Sequence, residues 1–265
     1  MSFQPLLPLG GYAGWRFLSS SLDAQVARHA KDPAQARDIA YFRDTIATVT
    51  TAADLVSDFR LLRVALGAFG LQDDLPNRAF IRKVLEEPVS DDGALVNRLA
   101  DKRYRAFSEA FGFGGPLPPR TALPSFAGSI LARHERQSFE LAVGEQSEDM
   151  RLALTAQREL PELAARGLSD TTGWLSVLGN APLRKVFEAA FGLPAAVGTL
   201  DLDRQVKAFR QGAERVLGTP DFAAFSDPDH VEGLIRSFTF RAEAAAGPSP
   251  LTPGYAALTL LRGGL

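Results

Sequence analysis

Three histidines, His29, His134 and His230, are the side chains of this chain best suited to exchange a proton near neutral pH. They lie about a hundred residues apart, and none stands in a His-Glu-x-x-His pattern. His134 shares a helical side with Ile130, Leu131 and Leu141, so it reads as a hydrogen-bonded core histidine. His29 falls near a helix end, where a cation suits the dipole, and His230 falls in a first turn beside Asp227 and Asp229. The chain has no cysteine, which excludes thiol nucleophiles, Cys-ligated zinc, iron–sulfur clusters and a disulfide scaffold. Gly10-Gly-Tyr-Ala-Gly14 and Gly112-Phe-Gly-Gly115 lack the Lys-Ser/Thr of a phosphate loop, and neither follows a strand. Of the acid pairs Asp73-Asp74, Asp91-Asp92, Glu86-Glu87, Asp201-Leu-Asp203 and Asp227-Pro-Asp229, nearly every acid sits where a helix starts, so they read as caps. Asp201-Leu-Asp203 lacks the Gly and Glu of a calcium loop. The best basic and aromatic run, Lys102-Arg-Tyr-Arg105, is too short for nucleic-acid readout and reads as one polar face. No catalytic residue, cofactor or metal is expected. The alternative is an enzyme or small-ligand-binding helical bundle, its site assembled from distant helices around His134, Glu135 and Glu145.

The elements that would have to carry any such site are helices. Asp32-Pro33 is a cap followed by a first-turn proline. Leu55, Phe59, Leu62, Leu66 and Phe69 recur at helical spacing up to Gly70, a glycine placed to stop the helix. Further stripes run through 78–87, 95–111, 125–166 with breaks near Gly144 and Pro161, 183–191, 202–217 and 228–242. No stretch alternates with period two. The fold class is therefore all-α, with about ten helices. Leu61–Leu71 echoes Leu183–Leu193, with Leu, Val, Ala, Phe, Gly and Leu at the same offsets, and Phe107–Phe113 is a shorter copy. The echo predicts two related helical lobes joined by long central helices. The boundaries expected are an N-terminal arm 1–18, a first lobe 19–119, central helices and a second lobe 120–246, and a Pro-rich C-terminal arm 247–265. The charge-free Gly-Pro stretch 112–119 marks the junction.

With 29 basic and 31 acidic residues, no electrostatic bias marks a nucleic acid or an anionic membrane as partner. A hydrophobic share of 46% at a net charge of −2 is that of a folded globule. Pro5 and Pro8 interrupt the first apolar stretch, and prolines 248, 250 and 253 interrupt the last uncharged run. No secretory signal or transmembrane segment is expected, so a cytoplasmic location is the starting point. Export without a cleaved signal, in association with a flagellum, is the alternative. Two apolar segments remain without a role: Tyr12, Trp15, Phe17 and Leu18, and Tyr255, Leu258, Leu260 and Leu261. Tyr12, Trp15, Phe17, Tyr255, Leu258 and Leu261 are the candidate partner-binding residues.

The runs Gly11-Tyr-Ala-Gly-Trp-Arg-Phe-Leu18, Arg37-Asp-Ile-Ala-Tyr-Phe-Arg43, Ala53-Asp-Leu-Val-Ser-Asp58 and Leu62–Leu71 share one pattern with later blocks. Those blocks are Ala79–Leu85, Asn97–Asp101, Val143-Gly-Glu-Gln146, Met150-Arg-Leu-Ala153 and Ala190-Phe-Gly-Leu-Pro194. In order and spacing, from Gly11 to Arg241, they resemble an alphaproteobacterial family known as a domain of unknown function, whose members are often encoded beside flagellar genes. The resemblance implies no catalytic residues. It points to a non-catalytic structural, assembly or chaperone-like protein with protein partners, flagellar components among them.

Overall fold

The computed structural model describes residues 3–99 and 101–246. Among these there are thirteen α-helices, five short 3-10 helices and no strand. The chain divides into two compact units. Helix α1 (Gly11–Ala30) contributes to both, its residues through Ser20 to the second unit and those from Ser21 to the first. The first unit also holds the residues up to Leu6 and continues to Gln146. Its further helices are α2 (Pro33–Thr45), α3 (Ala52–Ser57), α4 (Phe59–Gly67), α5 (Arg78–Glu86), α6 (Leu95–Arg98), α7 (Arg103–Phe111) and α8 (Phe126–Gly144). The second unit takes Leu7–Ser20 and the chain from Ser147, with α9 (Glu148–Ala164), α10 (Asp170–Leu178), α11 (Ala181–Phe191), α12 (Leu202–Leu217) and α13 (Pro228–Ala246).

The division falls at 146/147, not at the Gly-Pro stretch. Helix α8 packs on α2 and α4 and buries Phe126, Ile130 and Leu131 in the first core, so it cannot belong elsewhere. The Gly-Pro stretch is instead a turn inside the first unit. A Cβ on Gly114 would stand 2.5 Å from the Glu87 carbonyl oxygen, so the loop lies directly against backbone. The expected arm 1–18 is likewise not an arm. Helix α1 starts at Gly11, and Trp15 and Leu18 are fully buried.

Local chemistry explains the helix ends. Asp32 accepts from the Ala34 amide with Pro33 in the first turn of α2. The stripe from Leu55 to Phe69 is split in two at Asp58, whose carboxylate accepts from the Arg60 and Leu61 amides and opens α4. A short-range cap thus overrides a continuous apolar spacing. Asp201 caps α12 through the Arg204 amide, as its position in the sequence suggested. Two expectations fail. The stripe 95–111 is broken between α6 and α7, where Asp101 accepts from the Arg103 amide. Pro161 lies inside α9 without ending it: the buried stripe Leu152, Ala156 and Leu160 holds the helix across one missing amide donor.

The internal echo is a shared way of ending a helix. In α4 the Leu71 amide donates to the Leu66 carbonyl at 2.9 Å and Gly70 to Gly67 at 3.2 Å. In α11 the Leu193 amide donates to Glu188 at 2.9 Å and Gly192 to Ala189 at 3.0 Å. These are matching Schellman caps, and they require left-handed backbone at Gly70 (φ 68°) and Gly192 (φ 62°). Each is followed by a 3-10 turn and an amphipathic helix, α5 or α12. An arginine closes each: Arg103 donates to the Gly70 carbonyl, and Arg215 to the Phe191 carbonyl at 3.2 Å. Each unit also has an aromatic core. Phe107 meets Phe69, and Phe111 meets Phe107 and Phe126, edge-to-face at 5.0–5.3 Å. In the second unit Trp174 stands among Phe187, Phe209, Phe222 and Phe225. Each such pair adds about 0.5–1.5 kcal/mol beyond the area it buries.

Candidate partner-docking face

His29 and His134 lie in the first unit and His230 in the second. His134, on α8, sits against Gly67 of α4, where an added Cβ would come within 2.8 Å of Nδ1. Its Nε2 lies 3.2 Å from Gln35 Oε1, and burial holds the ring neutral, with a pKa lowered to about 4. His29 is buried beside Phe3 and Phe139, and burial lowers its pKa as well. His230 Nδ1 stands 3.4 Å from Asp227 at the start of α13. Two clefts stand out, one along α12 and one around the Gly-Pro turn. Neither takes a wall from His134, Glu135 or Glu145. Among the described residues no three His, Asp or Glu side chains converge as metal ligands. No helix there is long and apolar enough to cross a membrane. In the basic run, Arg103 is engaged by Asp101, Arg105 by Glu109 and Asn97, and Tyr104 by Asp74. Burial and the Asp74 hydrogen bond push the Tyr104 phenol up to about 12.

The N-terminal aromatic candidates separate by depth. Trp15 is fully buried, and its indole donates to Glu232 Oε2 at 2.9 Å. The Tyr12 hydroxyl donates to the other oxygen of the same carboxylate at 2.8 Å, and Arg16 approaches it at 3.6 Å. That hydrogen bond raises the Tyr12 pKa, so the phenol stays protonated and keeps donating. Glu232, on α13, therefore anchors the first turns of α1 within the second unit. The Tyr12 ring stacks on Phe240 at 6.0 Å with 21° between planes, and the Arg236 guanidinium stands 5.7 Å over the Tyr12 ring. Phe17 is half-buried. Phe240 is 57% exposed. Tyr255, Leu258 and Leu261 lie outside the described residues.

Trp15 is thus a core residue, and the Tyr12 ring lies beside Phe240. Phe240, Arg236 and Glu232 contact Tyr12, and sequence reasoning did not select them. The signal was there for Phe240. Val231, Leu234, Ile235, Phe238 and Ala242 form the core stripe of α13, and Phe240 lies about 200° around the helix from Phe238. That position places it opposite the core stripe.

The described residues form an all-helical protein of two compact units, the second of which carries the Tyr12–Phe240 stack. The chain belongs to a family described as a protein of unknown function (DUF1217), whose model matches residues 68–231. It is similar to protein AGR_C_984 from Agrobacterium tumefaciens, known from an X-ray crystal structure, at 27% sequence identity and a TM-score of 0.75. That similarity covers 93% of this chain and all of the other. No curated protein matches the chain.

Proposed function

We propose that this protein is a non-catalytic assembly or chaperone-like component that holds a protein partner on the Tyr12–Phe240 face. The observation that carries the reading is the exposed Phe240 stacked on Tyr12, whose hydroxyl is tied to Glu232. A ring fixed in place before binding loses little entropy on contact, which is why rigid aromatics and arginines dominate interface energetics. Arg16 and Arg236 border the stack. The partner surface is accordingly an apolar side chain flanked by a carboxylate. The resemblance to a family encoded beside flagellar genes supports a flagellar component as that partner.

The test is Phe240→Ser, an exposed change that should leave the melting temperature within about 2 °C. Partner capture from flagellated cells should fall by tenfold or more, and swimming should be impaired. Undiminished capture of the same partner by the variant refutes the face. Normal swimming in a strain lacking the gene refutes the flagellar assignment and leaves the face standing.

A further inference from the structure

The first unit holds a cleft of about 230 Å³ where the end of α5, the second half of α7 and the Gly-Pro turn meet. At about 30 Å³ per water, that is the room of roughly eight waters, or of one small organic molecule. Pro88 and Val89, just beyond α5, and Pro116, Leu117 and Pro118 of the turn give it an apolar lining. Gly114 lets the turn approach, since a Cβ there would stand 2.5 Å from the Glu87 carbonyl oxygen.

Ser108 of α7 belongs to the same lining. It is only 1% exposed, and its hydroxyl has no hydrogen-bond partner among the described residues. Other helical serines return theirs to a carbonyl of the preceding turn: Ser57 to Asp54, Ser129 to Phe126 and Ser176 to Thr172. A buried hydroxyl left unpaired destabilises the fold, so one that borders a cleft is placed for a group that enters it. The charged lining narrows what that group is. Glu87 is engaged by the Leu95 amide and by Lys83 at 3.7 Å, and Glu109 by Arg105 at 2.8 Å. Arg120 is the third charged residue of the lining, and no carboxylate pairs with it among the described residues. Its stem lies across Gly112, whose Cβ would stand 3.6 Å from Arg120 Cγ.

We propose that this cleft binds a small apolar monocarboxylate. The Ser108 hydroxyl donates to a carboxylate oxygen, the Arg120 guanidinium pairs with the anion, and the prolines and Leu117 cover the apolar body. The site lies wholly in the first unit and is independent of the Tyr12–Phe240 stack, which belongs to the second.

The test is an NMR titration of the full chain with benzoate, and with benzamide as its uncharged isostere. Benzoate should give saturable amide shifts within 108–120, and benzamide should bind at least tenfold more weakly. Ser108→Ala and Arg120→Gln should each weaken benzoate at least fivefold. Without ligand, Ser108→Ala should melt no lower than the wild type, because it deletes a hydroxyl that nothing in the fold satisfies. No saturable shift within 108–120 up to about 20 mM overturns the proposal, as does equal binding of benzamide. A Ser108→Ala chain that melts lower has lost a bond made inside the fold, and that result overturns it too. Arg120 also stands at the end of α7, where a cation suits the helix dipole. An Arg120→Gln chain that melts lower yet binds benzoate normally overturns the pairing with the anion.

Discussion

Acidification should loosen the first unit through His134. The ring is buried against Gly67 and faces Asp38, which favours its charge, and Arg63 and His29, which oppose it. Burial outweighs Asp38 and lowers the pKa from 6.5 to about 4. Above pH 6.5 the ring is neutral in folded and unfolded chains alike, and the shift has no effect on stability. Between pH 6.5 and about 4 the unfolded chain takes up a proton that the folded one refuses, so stability falls as pH falls. At about 1.4 kcal/mol per pH unit the loss reaches about 3 kcal/mol at pH 4 and levels off at about 3.5 kcal/mol below it. The perturbation is His134→Gln, which removes the titration and keeps a polar group within reach of Gln35. The readout must report the first unit. Trp15 and Trp174 both belong to the second, so tryptophan fluorescence would miss the effect. Native-state hydrogen exchange of α4 and α8 amides, measured from pH 7 to 4, reports it directly. The gap between wild type and variant should change by about 3 kcal/mol across that range, carboxylate contributions cancelling in the difference. Parallel pH profiles, or a ring titration near 6.5 by NMR, would refute the reasoning.

Other changes test the remaining links. Gly192→Ala forces a side chain onto left-handed backbone, with Arg241 Nη1 only 2.5 Å from the new Cβ, and should cost about 1–2 kcal/mol in chemical denaturation; a neutral result would mean that the Schellman cap is dispensable. Glu232→Ala leaves the buried Trp15 indole without its acceptor and should cost about 1–3 kcal/mol, visible in a melt followed by tryptophan fluorescence. An unchanged melting temperature there argues against the Glu232 anchor. Asp58→Ala removes the cap of α4 and the acceptor of the Tyr41 hydroxyl, and a loss of about 1 kcal/mol is expected by circular dichroism.

Most helices were legible because their signals are local. Asp32-Pro33, Asp201 and Gly192 each act on amides or carbonyls within a few residues, and the structure uses each as read. The stripe through Leu55 and Phe69 shows where that reasoning stops. Apolar spacing says which side is buried but not whether the backbone is continuous, and the Asp58 cap decided for two helices. The face around Phe240 was half legible. Tyr12 and Trp15 stood out as aromatics, but their common partner Glu232 is more than 200 residues away.

The amino-acid sequence by itself determined the all-α class, the placement of many helix ends and the absence of cysteine chemistry, because periodicity, capping and composition act at short range. Tertiary structure decided the rest. The Gly-Pro stretch became a turn within one unit because α8 packs back on α2 and α4. Trp15 became core and Tyr12 surface because α13 supplies the carboxylate and ring that sort them. Such choices depend on side chains far apart in sequence meeting in space, and no local pattern records which partner each will find.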